Sequence, residues 1–132
     1  MHDRVSHARG WFRKAESDLL SARKLLSADG PFDTACFHAQ QAAEKYLKGL
    51  LAFHQQPIPL VHKLVDLERA CVAAEPRLVI PAPPLGVITP YAVELRYDFD
   101  FWPDEEVARE AVGVAETVRD AVLALVPVEA QP

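Results

Sequence analysis

Residues 37–48 read Phe37-His38-Ala39-Gln40-Gln41-Ala42-Ala43-Glu44-Lys45-Tyr46-Leu47-Lys48. With the flanking residues, Cys36, Ala39, Ala43, Tyr46/Leu47 and Leu50 recur at steps of three and four, the period of a helix with one apolar face. Four polar residues crowd the other side. Gln41, Glu44 and Lys48 are three and then four residues apart, so they share a face, and Gln40 borders it. Two readings follow. The face lines a pocket or a dimer cleft, or it is a solvated surface on which Glu44 and Lys48 form a helical pair worth about 0.3–0.5 kcal/mol.

The same period runs outward from this segment. Val5, Ala8, Phe12, Ala15, Leu19, Ala22 and Leu26 mark a long first helix, which Gly30-Pro31 stops. Asp33 reads as the N-cap of the second helix. A short third helix starts near His62, turns Leu64, Leu67 and Cys71 inward, and closes at Glu75-Pro76. Residues 76–90 form a proline-rich connecting loop, and Val79-Ile80 is too short and too close to proline to support a sheet. Thr89-Pro90 predicts the start of a fourth helix that carries Arg96. Asp104, Glu105 and Glu106 load the start of the last helix with the charge its dipole favours. Its stripe is Val107, Ala111, Val114/Ala115, Val118, Val122 and Leu125, and Pro127 ends it. The expected fold is all-α: an antiparallel four-helix up-and-down bundle with an additional short helix, one domain over residues 1–132.

Composition sets outer bounds. A chain of 132 residues is most simply one domain, and 50% hydrophobic with 25% charged residues is an ordinary globular balance. A net charge of -5 argues against non-specific binding to nucleic-acid backbones. Cys36 and Cys71 both lie in apolar helical patterns and read as buried thiols, not as a disulfide or metal site. No apolar run is long enough for a bilayer, and the polar start Met1-His2-Asp3-Arg4 is unlike a signal peptide. The expectation is a cytoplasmic protein with no membrane contact, no cofactor and no metal.

Four segments together resemble the HEPN family (higher eukaryote and prokaryote nucleotide-binding domain). The first helix offers Trp11 with Ala15, Glu16, Asp18, Leu19 and Ala22. The second offers Ala35 to Lys48 nearly entire. His62-Lys63-Leu64 is similar to the family's His-x-Leu, and Leu95-Arg96-Tyr97 to its Arg-Tyr-Pro, with Asp98 in place of the proline. The resemblance implies a small helical bundle that forms homodimers, a minimal nucleotidyltransferase as partner in a toxin–antitoxin-like module, and a nucleotide or RNA as ligand. Some relatives are metal-independent ribonucleases with an Arg-x4-6-His motif. Here Tyr97 to Pro103 contain no His, and His2, His7, His38, His54 and His62 all lie upstream of Arg96. The expected protein is therefore an interaction module. The alternative is a divergent ribonuclease that pairs Arg96 with His62 or Asp18 as a non-standard base.

The candidate binding residues are Asp18, Gln41, Glu44, Lys48, His62 and Arg96, with Arg96 and His62 also the candidates for catalysis. Arg96 presents a planar fork suited to phosphate or carboxylate, or it closes a salt bridge to Asp18 or Glu44. Asp18, at the edge of an apolar stripe, should find a cation or donor, and Arg96, Lys48 and His62 are the candidates. Structural roles remain open for both Asp18 and His62. Asp98 and Asp100 make only a D-x-D pair, too few ligands for a cation site. Phe99, Phe101 and Trp102 read as a plug at the bundle end, a subunit contact or a base-stacking platform.

Overall fold

The computed structural model describes residues 3–60, 63–81 and 99–132. Among them the chain is helical throughout: α1 Arg4–Ser27, α2 Phe32–Phe53, α3 Leu64–Ala74 and α4 Glu105–Leu123, with a 3-10 turn at Val128–Ala130. The expected fourth helix with Arg96, and the start of the third at His62, lie outside the described residues. Val79 and Ile80 are irregular, as their proline neighbours require.

Each boundary has a local cause. Asp3 accepts from the Ser6 amide at the start of α1, and Asp104 accepts from the Val107 amide at the start of α4. Each such cap is worth about 1 kcal/mol. Helix α1 stops at Ser27, earlier than Gly30-Pro31. The reversal is made by Asp29 and Gly30, whose φ angles of 64° and 110° lie in the left-handed region. Pro31, not Asp33, holds the N-cap position of α2. Asp33 lies inside the first turn, where its charge meets the helix dipole. Lys63 is the N-cap of α3. Helix α4 ends at Leu123, before Pro127, and the Gln131 side chain returns to donate to the Leu123 and Val126 carbonyls.

Helix α2 is the axis of the bundle. From Ala35 to Phe53 only Phe37, His38, Gln41 and Lys45 are less than buried. Helices α1, α3 and α4 each pack against it. Helix α1 runs antiparallel to α2. Arg4, near its start, donates to the Phe53 carbonyl and stacks over the Phe53 ring at 4.4 Å. Helix α4 is antiparallel to α1: Arg23 pairs with Glu116 at 2.8 Å, Arg119 with Glu16 at 2.6 Å, and Arg9 with the Glu129 carbonyl. Helix α3 rests on the C-terminal half of α2, where Cys71 Sγ donates to the Leu47 carbonyl at 3.2 Å.

Both cysteines are free and buried, and burial pushes each thiol up to about 12. Neither is a thiolate at neutral pH, so the structural reading of Cys36 and Cys71 holds.

The tightest approach is at Gly49. A Cβ there would stand 2.6 Å from Phe12 Cδ1, well inside contact distance. The absence of a side chain lets the Phe12 ring lie on the α2 backbone, and Phe12 in turn stacks on Tyr46 with centroids 6.4 Å apart. Gly49→Ala is expected to destabilise the protein by about 1–3 kcal/mol through overpacking. The gain of about 1 kcal/mol in helix propensity offsets this only in part. Urea denaturation of the two proteins measures the difference.

Candidate functional site

Gln40, Glu44 and Lys48 stand one helical turn apart along α2, and all three are buried, at 0%, 4% and 7% exposure. The solvated-face reading is thereby corrected for these residues. The polar line faces the interior, and the partly open stripe of α2 is Phe37/His38, Gln41 and Lys45. Periodicity alone did not reveal this, because it shows which residues share a face but not how many neighbours enclose the helix.

Burying polar groups is costly unless they are paired. Lys48 Nζ lies 3.5 Å from Glu44 Oε2 and 5.7 Å from the centroid of the Trp11 ring. Gln41 Nε2 donates to Gln40 Oε1 at 2.8 Å. A helical ion pair of this kind is weak in water but is desolvated here, so removing one member leaves the other charge exposed to the full desolvation penalty. Outside the line, Trp11 Nε1 faces His7 Nε2 at 3.3 Å. Trp11 also walls a groove of about 320 Å³ with Ser6, His7, Gly10 and Lys14.

Asp18 does find a cation, but Lys45 takes the place expected of Lys48, Arg96 or His62. Its Oδ2 receives Lys45 Nζ at 2.5 Å and its Oδ1 receives His38 Nδ1 at 2.8 Å. The carboxylate can only accept, so His38 Nδ1 is the donor in this contact. This cluster pins α1 to the open stripe of α2. His38 and Lys45 are the residues that sequence reasoning missed. The available signal was their spacing of seven, two turns on one helix face.

A second cluster joins three helices. Glu16 on α1 accepts from the Tyr46 hydroxyl of α2 at 2.9 Å and from Arg119 Nε of α4 at 2.6 Å. Burial first, and Glu16 second, push the Tyr46 hydroxyl well above its ordinary value, so it remains a donor. A third lies where α2 and α3 end. The Arg77 side chain donates twice to Glu75, at 2.8 and 2.9 Å, its backbone amide donates once at 3.3 Å, and His54 Nε2 stands 3.3 Å from Glu75 Oε2 without hydrogen-bond alignment.

The HEPN domain family model matches residues 8–125, a span that contains most of α1, all of α2, the polar line and the Asp18 cluster. The chain belongs to the HEPN family. Its fold is similar to the crystal structure of TT1696 from Thermus thermophilus, with a TM-score of 0.71 and 27% identity over 89% of this chain and 97% of that one. It is also similar to ST0689, described as an archaeal HEPN homologue. There the TM-score is 0.58 and the identity 26%, over 89% of this chain and 96% of that one. No curated protein matches it.

Two of the sequence candidates, Arg96 and His62, fall outside the described residues. The remaining four divide into two places on this HEPN domain. Glu44 and Lys48 belong to the buried line, where Gln41 touches it through Gln40. Asp18 belongs to the separate cluster with His38 and Lys45. The aromatic connector is divided as well: Phe101 packs on the core, whereas Phe99 and Trp102 are 84% and 73% exposed. The plug reading is corrected for those two, which stand mostly in solvent. Among the described residues no helix is long and apolar enough to cross a membrane, and no group of three metal-ligating side chains converges.

Two of these clusters carry measurable consequences for stability. Asp18→Ala leaves His38 Nδ1 and Lys45 without their acceptor and is expected to lower stability by about 1–3 kcal/mol. Asp18→Asn, which keeps one acceptor, should cost less, and chemical denaturation ranks the two. The Arg77 side chain holds the Glu75 carboxyl down to about 2, from an ordinary 4.5, with His54 adding a smaller pull. A depressed carboxyl stabilises the fold above its unfolded pKa and ceases to do so as pH falls through the folded one. The stability difference between wild type and Glu75→Gln is therefore expected to be full at neutral pH and to shrink as pH drops from about 4.5 to about 2. Urea midpoints taken across that range test it.

Proposed function

We propose that this HEPN domain is an interaction module. It acts as a homodimer, works with a minimal nucleotidyltransferase in a toxin–antitoxin-like pair, and takes a nucleotide at the polar line of α2. The observation that carries this reading is the burial of Gln40, Glu44 and Lys48 beside Trp11. A bundle that needed only stability would do as well or better with apolar residues there. Polar groups held rigidly, with a lysine against an aromatic wall, are the equipment of a binding site.

The ribonuclease alternative has less support. No His follows Arg96. Asp18, one of its substitute bases, is engaged by both Lys45 and His38. An acid–base catalyst must be able to exchange its proton with the substrate.

Light scattering on the purified protein is expected to give twice the chain mass of 14.7 kDa. Co-expression with a nucleotidyltransferase from the adjacent reading frame should yield a complex, and calorimetry with a nucleoside triphosphate should show binding that Lys48→Met weakens about tenfold or more. A monomer that captures neither partner nor nucleotide would overturn the reading. RNA cleavage that persists in chelator and disappears in Arg96→Ala would replace it with the nuclease.

A further inference from the structure

The homodimer proposed above still needs a surface, and the two ends of the bundle differ in kind. Between Arg4 and Lys14 the chain carries Arg4, Arg9, Arg13 and Lys14 and no carboxylate. Between Phe99 and Glu106 it carries Asp100, Asp104, Glu105 and Glu106 and no cation, and of these Glu105 is paired with Arg109 one turn on, at 2.7 Å. The first segment holds the groove walled by Trp11 and Lys14. The second holds Phe99 and Trp102, the aromatic side chains that stand in solvent among the described residues.

These features cannot meet within one chain. The ion pair Arg23–Glu116 sets α1 and α4 level with each other, and the helices are antiparallel. Gly10 is thirteen residues from Arg23 in one direction, and Glu105 is eleven residues from Glu116 in the other. At 1.5 Å per residue the groove and the aromatic segment are roughly 35 Å apart along the bundle. Asp104 instead acts on Cys36, near the start of α2, at the far end from the groove.

Gly10 supplies a second observation. It is an exposed glycine within α1, where glycine is unfavourable, and a Cβ placed on it would meet nothing within 4 Å. Packing among the described residues therefore gives no reason for the missing side chain. Its absence keeps the groove open beside Trp11.

We infer that the groove is the seat of Trp102 from a second copy of this chain, in a two-fold dimer whose bundles lie antiparallel. This rests on the homodimer reading and names its interface. The two-fold axis brings the acidic aromatic end of each copy to the basic end of the other, so the same contact forms twice. A tryptophan in a pocket, ringed by complementary charge, is the usual composition of an energetic centre in an interface. An isologous arrangement also closes on itself, whereas the same contact in an open arrangement would continue into fibres.

The test uses two surface substitutions that leave the monomer's core intact. Gly10→Leu fills the groove and favours the helix, and Trp102→Ala removes the knob, so circular dichroism should stay that of the wild type. Each is expected to raise the dimer dissociation constant roughly thirtyfold or more in sedimentation equilibrium. An equimolar mixture of the two variants retains one intact groove and one intact knob, and should associate better than either variant alone. A dimer that survives both substitutions, or a mixture no better than its components, would overturn this interface and leave the homodimer standing, whereas a wild type that grows into open polymers would overturn both. A wild type that stays monomeric would overturn the homodimer itself.

Discussion

The contact of the Phe12 ring with the α2 backbone at Gly49 is the constraint on which the rest of the bundle depends. It brings α1 close enough to α2 for Asp18 to reach Lys45 and His38 and for Glu16 to reach Tyr46. Arg119 then ties α4 to the same carboxylate. Dispersion and burial set the spacing, and the ion pairs lock a geometry that packing has already made. With α1 this close, α2 is enclosed by α1, α3 and α4, and a helix that looks amphipathic in sequence becomes an interior one.

That enclosure gives the polar residues of α2 their importance. Gln40, Glu44 and Lys48 on a free surface would contribute little. Inside the bundle they are among its most demanding groups, since each must be satisfied by a neighbour held in place. The same physics separates the line from the Asp18 cluster, which lies on the open stripe of α2 and retains partial exposure. The two places therefore suit different work. One is a rigid interior feature beside Trp11, and the other is a clasp between α1 and α2 built on a carboxylate, a lysine and an imidazole.

Much of the fold was legible because helical period is a local property. The stripes of α1 and α4 reappear almost residue for residue in the core: Ala8, Phe12, Ala15, Leu19 and Ala22 on one, Ala111, Val114, Ala115, Val118 and Val122 on the other. The acidic start of α4 was legible for the same reason, whereas the cap that Asp104 makes to the Val107 amide is a finding of the structure. Asp33 was misplaced because Pro31, with its fixed φ and no amide donor, suits the helix entry and moves the start forward. The candidate site was legible only as a set of residue types. Asp18 clearly needed a cation, yet the choice of Lys45 over Lys48 depends on how α1 is rotated against α2. Phe99 and Trp102 were grouped with Phe101, though only Phe101 turns onto the core.

The sequence by itself determined the helices, their apolar stripes, the thiol character of Cys36 and Cys71, and the HEPN wording from Ala35 to Lys48. These follow from periodicity, capping and residue chemistry, all of which act over a few residues. The tertiary structure alone decided that the polar line of α2 is buried, that Asp18 closes on Lys45 and His38, and that the acidic aromatic end lies opposite the basic groove. Those facts depend on which helices enclose which, and on the direction in which they run. Packing sets both through contacts far apart in the chain, such as Phe12 on Gly49 and Arg23 on Glu116.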